Sequence, residues 1–269
     1  MSDVPLIIDQ WAGTSPVIIS IPHAGVGLPT ALKERMTEQA RLLPDTDWHV
    51  EKLYDFAPDM DVTVIKANIS RYVIDLNRDP AGGSLYPGQS VTELCPTTTF
   101  DDEPIYQEGQ MPDAAEIIER VFYYHQPYHG LLKAEIARIK ALHGYCIVLD
   151  AHSIRSHVER FFTGRLPHFN WGTNDGTTCA PKITEMLESY HRSVSYDFTS
   201  VTNGRFKGGY ITRHYGSPLD GVHTIQLELA QCAYMDESPP YNWDIELSDP
   251  LKGHLSTLVK NLIVFDLKS

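Results

Sequence analysis

The feature that most constrains this chain is Tyr145-Cys146-Ile147-Val148-Leu149-Asp150-Ala151-His152-Ser153, an apolar, β-branched run that ends in a carboxylate and an imidazole two residues apart. Such a run reads as a buried central strand delivering polar groups to the carboxyl edge of a sheet, where open α/β sheets place their chemistry. A second stretch, Pro16-Val17-Ile18-Ile19-Ser20-Ile21-Pro22-His23-Ala24-Gly25, has the same design, with a histidine and a glycine where the strand stops. One histidine at a strand end is more often a hydrogen-bonded core residue than a ligand. Two such strands point to a metal.

The 269 residues suit one large α/β domain spanning residues 1–269 and are enough to bury a substantial core. A formal charge of −13 repels phosphate backbones and anionic membrane surfaces, so neither nucleic acid nor a membrane is an expected partner. That acidity makes any local group of cations informative. The four cysteines, Cys95, Cys146, Cys179 and Cys232, show no metal-ligand or disulfide spacing. The stretch Met1-Ser2-Asp3-Val4-Pro5 lacks the order of a signal peptide, and no apolar segment approaches the roughly 18 residues that span a bilayer. The cytoplasm is therefore the expected compartment, and a homo-oligomer is left open.

Along the chain, Thr30 is expected to cap a charged helix over residues 30–41. Residues 48–56 carry a helical apolar stripe, preceded by Asp45 and Asp47 where capping carboxylates are favoured. Capping accounts for one of these aspartates and leaves the other free as a ligand. Residues 62–67 read as a strand. Over residues 68–80, alternation would put Tyr72, Ile74 and Leu76 on one face and Arg71, Val73, Asp75 and Asn77 on the other. Arg71 and Arg78 suit bidentate capture of carboxylates, or structural pairs with Asp75 and Asp79. Residues 81–112 form a long loop, as in a lid over a site. Residues 113–142 read as two helices or one kinked at Pro127 and Gly130, residues 181–192 as an amphipathic helix, and residues 250–267 as a closing helix.

The segment 203–216 concentrates Arg205, Lys207 and Arg213 among glycines, which lets backbone and side chains approach a small anion together; a solvated hairpin is the alternative. In the late strand 222–230, alternation sends Thr224, Gln226 and Glu228 to one face. A carboxylate in such a strand needs a partner, or its pKa rises toward that of a general base. Two imidazoles and a carboxylate are the usual protein ligands of a hydrolytic zinc, and Glu228 is then the natural base.

Taken together, several stretches resemble the N-formylglutamate amidohydrolase (deformylase) family across nearly the whole chain. They are Ser20-Ile21-Pro22-His23-Ala24-Gly25, Asp45-Thr46-Asp47-Trp48-His49, Ser70-Arg71-Tyr72-Val73-Ile74-Asp75-Leu76-Asn77-Arg78-Asp79-Pro80, Leu149-Asp150-Ala151-His152-Ser153, Asn203-Gly204-Arg205-Phe206-Lys207-Gly208-Gly209-Tyr210-Ile211-Thr212-Arg213 and Gln226-Leu227-Glu228-Leu229. That family looks like a distant relative of zinc carboxypeptidases and aspartoacylases, which implies a three-layer α/β/α fold with a mixed central sheet. The resemblance implies His23 and His152 as zinc ligands, Glu228 as the catalytic glutamate, and Arg71 as an arginine that polarises the carbonyl or holds a carboxylate. Carboxypeptidases place a ligand glutamate three residues after the first histidine, where this chain has Val26. The second ligand must then come from elsewhere, Asp47 before Asp45. Asn77 and Arg78 resemble a carboxylate-binding pair, and Arg205, Lys207 and Arg213 are further candidates for a dianionic substrate. The implied reaction is hydrolysis of N-formyl-L-glutamate to L-glutamate and formate in histidine degradation. The alternative is a zinc amidase for another N-acyl amino acid, of aspartoacylase or succinylglutamate desuccinylase type.

Overall fold

The computed structural model describes residues 7–83, 91–194 and 197–265. Seven strands form one mixed sheet: β1 Ile8–Trp11, β2 Val17–Ile21, β3 Thr63–Ala67, β4 Cys146–Ile154, β5 Phe169–Gly172, β6 Ser200–Thr202 and β7 Val222–Ala230. Their order is β1-β3-β2-β4-β7-β5-β6. Strands β3, β2, β4 and β7 run parallel, while β1 and β5 pair antiparallel with β3 and β7. All residues of β2, β4 and β7 are buried, as strands covered on both faces must be.

The helices are α1 Thr30–Arg35, α2 Val50–Leu53, α3 Ala114–Arg120, α4 Gln126–His143, α5 Pro181–Ser193, α6 Tyr210–Tyr215 and α7 Ile245–Ile263. One apolar layer joins Val17, Ile19, Leu149, Ala151, Ile225 and Leu227 to Leu53, Ile183, Leu187, Leu255 and Val259 of α2, α5 and α7. The opposite layer joins Ile18, Ile65 and Val148 to Leu132, Ile136 and Ile139 of α4 and to Tyr72, Ile74 and Leu76. Alternation along each strand divides its side chains between the two layers, giving the three-layer α/β/α arrangement. No helix among the described residues is long and apolar enough to cross a membrane.

Several local expectations are corrected. Helix α1 ends at Arg35, and Pro29 rather than Thr30 sits at its N-cap. Met36 is fully buried and turns extended to bridge Tyr106, which stops the helix. Residues 68–80 are not a strand: turns bury both alternating sets, and Tyr72, Val73, Ile74 and Leu76 share one cluster. Backbone groups there find partners outside any ladder, with Ser70 N donating to Gly27 O at 2.9 Å and Asp75 N to Leu94 O at 2.7 Å. The kink expected near Pro127 is a π turn over Val121–His125 joining α3 to α4. Helix α7 starts at Ile245, capped by Asp244, with Pro250 inside it. Part of the expected 81–112 lid, residues 84–90, the end of the expected closing helix at 266–267 and the signal-free stretch 1–5 lie outside the described residues.

Candidate metal centre

The centre is assembled by strand register. In the parallel pairing of β4 with β7, Asp150 lies opposite Gln226 and His152 opposite Glu228, so these four side chains share one face at the carboxyl edge. Ser20 of β2 lies opposite Asp150 and donates through Oγ to Asp150 Oδ1 at 3.2 Å. His23 follows β2 by two residues. At Gly25 the chain runs against residues 67–69, where a Cβ would sit 2.4 Å from Asn68 C, so no larger residue fits that approach. Asp47 is brought alongside by its own N–H, which donates to His23 O at 3.1 Å. Neither Asp45 nor Asp47 caps α2; His49 occupies the N-cap with φ 63° and no side-chain cap bond. Asp47 is thereby free to turn inward.

There, Asp47 Oδ2 accepts from Ser153 N at 3.1 Å and lies 3.0 Å from His152 Nδ1 and 3.8 Å from His23 Nδ1. The two rings stand 4.8 Å apart. His23 Nε2 meets Asp75 Oδ1 at 2.8 Å, and His152 Nε2 lies 3.0 Å from both Asp150 Oδ2 and Asn77 Nδ2. A carboxylate beside each Nε2 can hold a proton there, and the Nδ1 atoms of both rings face Asp47. One donor atom each from buried His23, Asp47 and His152 falls within 4.8 Å of the others.

Four buried carboxylates, Asp47, Asp75, Asp150 and Glu228, face two guanidiniums, Arg71 and Arg78. Arg71 donates to Asp75 Oδ2 at 2.7 Å and to Asp47 Oδ1 at 3.4 Å, and Arg78 Nη1 lies 3.7 Å from Asp75. Burial opposes ionisation of Asp75, but Arg78, His23 and Arg71 hold its carboxyl well below the usual range. Burial likewise opposes ionisation of Asp47, and His152, His23 and Arg71 still lower it. His152 is depressed by burial, yet Asp150 and Asp47 outweigh that and hold the ring well above an ordinary imidazole, whereas burial and Arg71 push His23 down. Burial raises Glu228 to about 8, against the pull of His152. Two imidazoles with one carboxylate are zinc-type donors, and their ligand atoms lie within 4.8 Å of one another. The residues fit the ion.

A cavity of about 70 Å³ opens beside these groups, lined among others by His23, Arg71, Asn77, Arg78, His152, Arg205 and Glu228, with Phe100, Phe161 and Phe206 as apolar wall. At roughly 10–15 Å³ per water, it suits a small polar molecule. Both ends of Asn77 are used by the protein: Nδ2 donates to Asp150 Oδ2 at 3.1 Å, and Oδ1 accepts from Ile211 N at 2.7 Å. Arg78 is braced on Thr92 O and Oγ1. Arg205 donates to Phe161 O at 2.6 Å and lies over the Phe161 and Phe206 rings. Lys207 and Arg213 do not line the cavity; Lys207 pairs with Asp175 at 3.0 Å, and Arg213 Nε donates to Gly208 O. Asp45 stands apart from the cluster, accepting from Tyr72 OH at 2.6 Å and Phe100 N at 2.9 Å. Sequence reasoning missed Gln226, whose Nε2 donates to Glu228 Oε2 at 3.2 Å, and Asp75 as a partner of His23. Gln226 was discoverable from its shared strand face with Glu228.

Fold and site define an α/β enzyme with a polar cavity at the carboxyl edge of its parallel strands. A model of the N-formylglutamate amidohydrolase family matches residues 15–235, and the chain belongs to that family. It is 45% identical to the N-formylglutamate deformylase of Pseudomonas aeruginosa over 253 residues, 94% of each chain. It is 44% identical to that of Pseudomonas putida over 259 residues, 96% of each. The fold is shared with the crystal structure of N-formylglutamate amidohydrolase from Ralstonia eutropha JMP134, with a TM-score of 0.81 at 24% identity over 96% of this chain and 97% of that one. A gene product of Agrobacterium tumefaciens has a TM-score of 0.70 at 16% identity, over 95% and 94% of the two chains.

Proposed function

We propose that this chain hydrolyses N-formyl-L-glutamate to L-glutamate and formate, as a step of histidine degradation in the cytoplasm, using a divalent ion, zinc by donor type, held by His23, Asp47 and His152. The reading takes residues 1–269 as one amidohydrolase domain. The observation that carries it is the convergence of both Nδ1 atoms and Asp47 Oδ2 beside Glu228, in a chain 45% identical to a deformylase. Such an ion supplies a Lewis acid that lowers the pKa of water and polarises an amide carbonyl.

The chain's own groups do the rest. Asp75 and Asp150 hold protons on the Nε2 atoms of His23 and His152, keeping Nδ1 available. Glu228 takes a proton from the attacking water at a carboxylate oxygen and passes it to the nitrogen of the departing glutamate, while Gln226 fixes its orientation. Arg78 and Arg205 line the cavity, which supports assigning them to the two carboxylates of a dianion. Arg71, tied to Asp47 and Asp75, sets their carboxylates and flanks the carbonyl. Asn77 acts through Asp150, and Lys207 and Arg213 steady the loop bearing Arg205. Because the formyl group is tiny, binding energy from the glutamate carboxylates positions the amide.

The test is metal content together with formate release, for wild type and His152→Ala. About one ion per chain, with metal and activity both lost in the variant, is the expected outcome. Equal formate release by metal-free protein would remove His23 and His152 from the chemistry. Faster turnover of N-acetyl or N-succinyl substrates would favour a different amidase.

A further inference from the structure

The segment Leu76-Asn77-Arg78 has no ladder to satisfy its backbone, and all three of its carbonyls are held by distant groups. His129 Nε2 reaches Leu76 O at 2.8 Å and His125 Nε2 reaches Arg78 O at 3.1 Å. Asn77 O accepts from Tyr210 N at 3.3 Å and from Arg78 Nη1 at 3.0 Å. A carbonyl only accepts, so both imidazoles carry their proton on Nε2. His129 Nδ1 is then an acceptor, 3.0 Å from Tyr215 OH. The two rings stack with centroids 4.1 Å apart. The π turn over Val121–His125 ends on the first of this pair, and π turns are frequent at functional sites. Tyr128, on the same helix face, bonds Ser20 Oγ at 2.9 Å, and Ser20 in turn bonds Asp150. Helix α4 and the residue before it therefore present His125, Tyr128 and His129 to the framework behind the metal ligands.

Between the two held carbonyls stands Asn77. Its amide donates to Asp150, the partner of His152, and its two oxygens accept from the first two N–H groups of α6. Gly209, just before α6, donates to Gln226 Oε1 at 2.7 Å, and Gln226 donates to Glu228. A shift of this segment would thus reach His152 through Asp150, Glu228 through Gln226, and the cavity directly through Arg78.

We propose that His125 and His129 are positioning residues of the centre: their Nε2–H groups hold the Arg78 and Leu76 carbonyls, and so set the Asn77 amide behind His152 and the Arg78 guanidinium at the cavity wall. The inference rests on the metal-centre reading above. Burial, reinforced for His129 by its neighbour His125, lowers both rings, His129 to about 3, so neutral donors persist at working pH.

The test compares His129→Leu and His125→Leu with His129→Gln and His125→Gln in the full-length zinc enzyme, since Gln keeps an N–H donor and Leu has none. Zinc affinity is measured by chelator competition, and kcat and KM by formate release. Loss of a partner behind a ligand typically costs about 10–100-fold in affinity or activity. His129→Leu is expected to weaken zinc binding and lower kcat about 10-fold, and His125→Leu to raise KM about 10-fold with kcat held. Each Gln variant should return to within about threefold of wild type. Leu variants that change melting temperature alone, or folded Gln variants as impaired as Leu, overturn the proposal. Should the Leu variants not fold, an order-of-magnitude loss in folded Gln variants overturns it, and near-wild-type behaviour supports it. A wild type that binds zinc without releasing formate removes the functional reading while the zinc comparison still decides the clamp; one that binds no zinc removes both.

Discussion

At the scale of single residues, the same physical cause, burial, produces opposite outcomes according to the partners supplied. Glu228 is buried near His152 and Asp47 and its pKa rises to about 8, whereas Asp75 is buried too but surrounded by Arg71, Arg78 and His23 and stays ionised. Glu228→Gln removes the proton acceptor and little else. It should lower kcat about 10²–10⁴-fold with metal content by mass spectrometry unchanged; loss of the metal instead would make Glu228 a ligand. His191 shows burial with no partner. Its ring packs on Phe169 at 4.6 Å and Trp171 at 5.7 Å, and neither ring nitrogen is hydrogen-bonded among the described residues. Burial lowers its pKa from 6.5 to about 4. The unfolded chain therefore takes up this proton first, so the neutral ring's contribution is complete above about pH 6.5 and is lost as pH falls toward about 4. His191→Phe should flatten that acid slope by up to about 3 kcal/mol, read from urea unfolding at pH 7 and pH 4.5. An unchanged slope would mean the ring is protonated in the fold.

Among the elements, pairing register and helix ends do the positioning. A one-residue slip between β4 and β7 would turn His152 and Glu228 to opposite faces, so the long pairing of these two strands is a precondition for the site. Helix α7, which covers the opposite face, depends on Asp244, whose Oδ1 accepts from Glu246 N at 2.9 Å and Leu247 N at 3.2 Å. Asp244→Ala should cost about 1 kcal/mol of stability without altering kcat, as followed by thermal melting and formate release; a fall in kcat would connect α7 to the site. Arg71 illustrates why element-level reading faltered. Its pairing with Asp75 was legible as one of two alternatives, but the alternation of residues 68–80 resembles a strand only while the competing partners Gly27 O and Leu94 O are out of view.

For the whole molecule, the seven-stranded sheet and its loops gather groups from five separate stretches, near residues 23, 47, 71–78, 150–152 and 226–228, around one cavity. On the proposed reading, removing the ion takes away the group that joins His23, Asp47 and His152. A chelator is expected to lower the melting temperature by roughly 5–10 °C, since an ion present at about 100 times its dissociation constant contributes about 2.7 kcal/mol. Calorimetry with and without added zinc checks this, and an identical transition in both would mean that the centre does not support the fold.

The sequence by itself determined the α/β class, the two strands that end in histidine, and Glu228 on a strand face, because a buried strand with period two writes its side-chain assignment into a few consecutive residues. It also narrowed the third donor to Asp45 or Asp47, and no local pattern could separate them. Only the tertiary structure decided that Asp47 turns to the histidines while Asp45 holds Tyr72 and Phe100. It alone placed Arg205 at the cavity and Lys207 against Asp175, and brought His125 and His129 to the carbonyls beside Asn77. Short strands such as β1, β5 and β6 escaped notice for the same reason. Their pairing, like these side-chain contacts, depends on groups tens to more than a hundred residues away, and long-range charge and hydrogen-bond satisfaction leave no periodic trace in the chain.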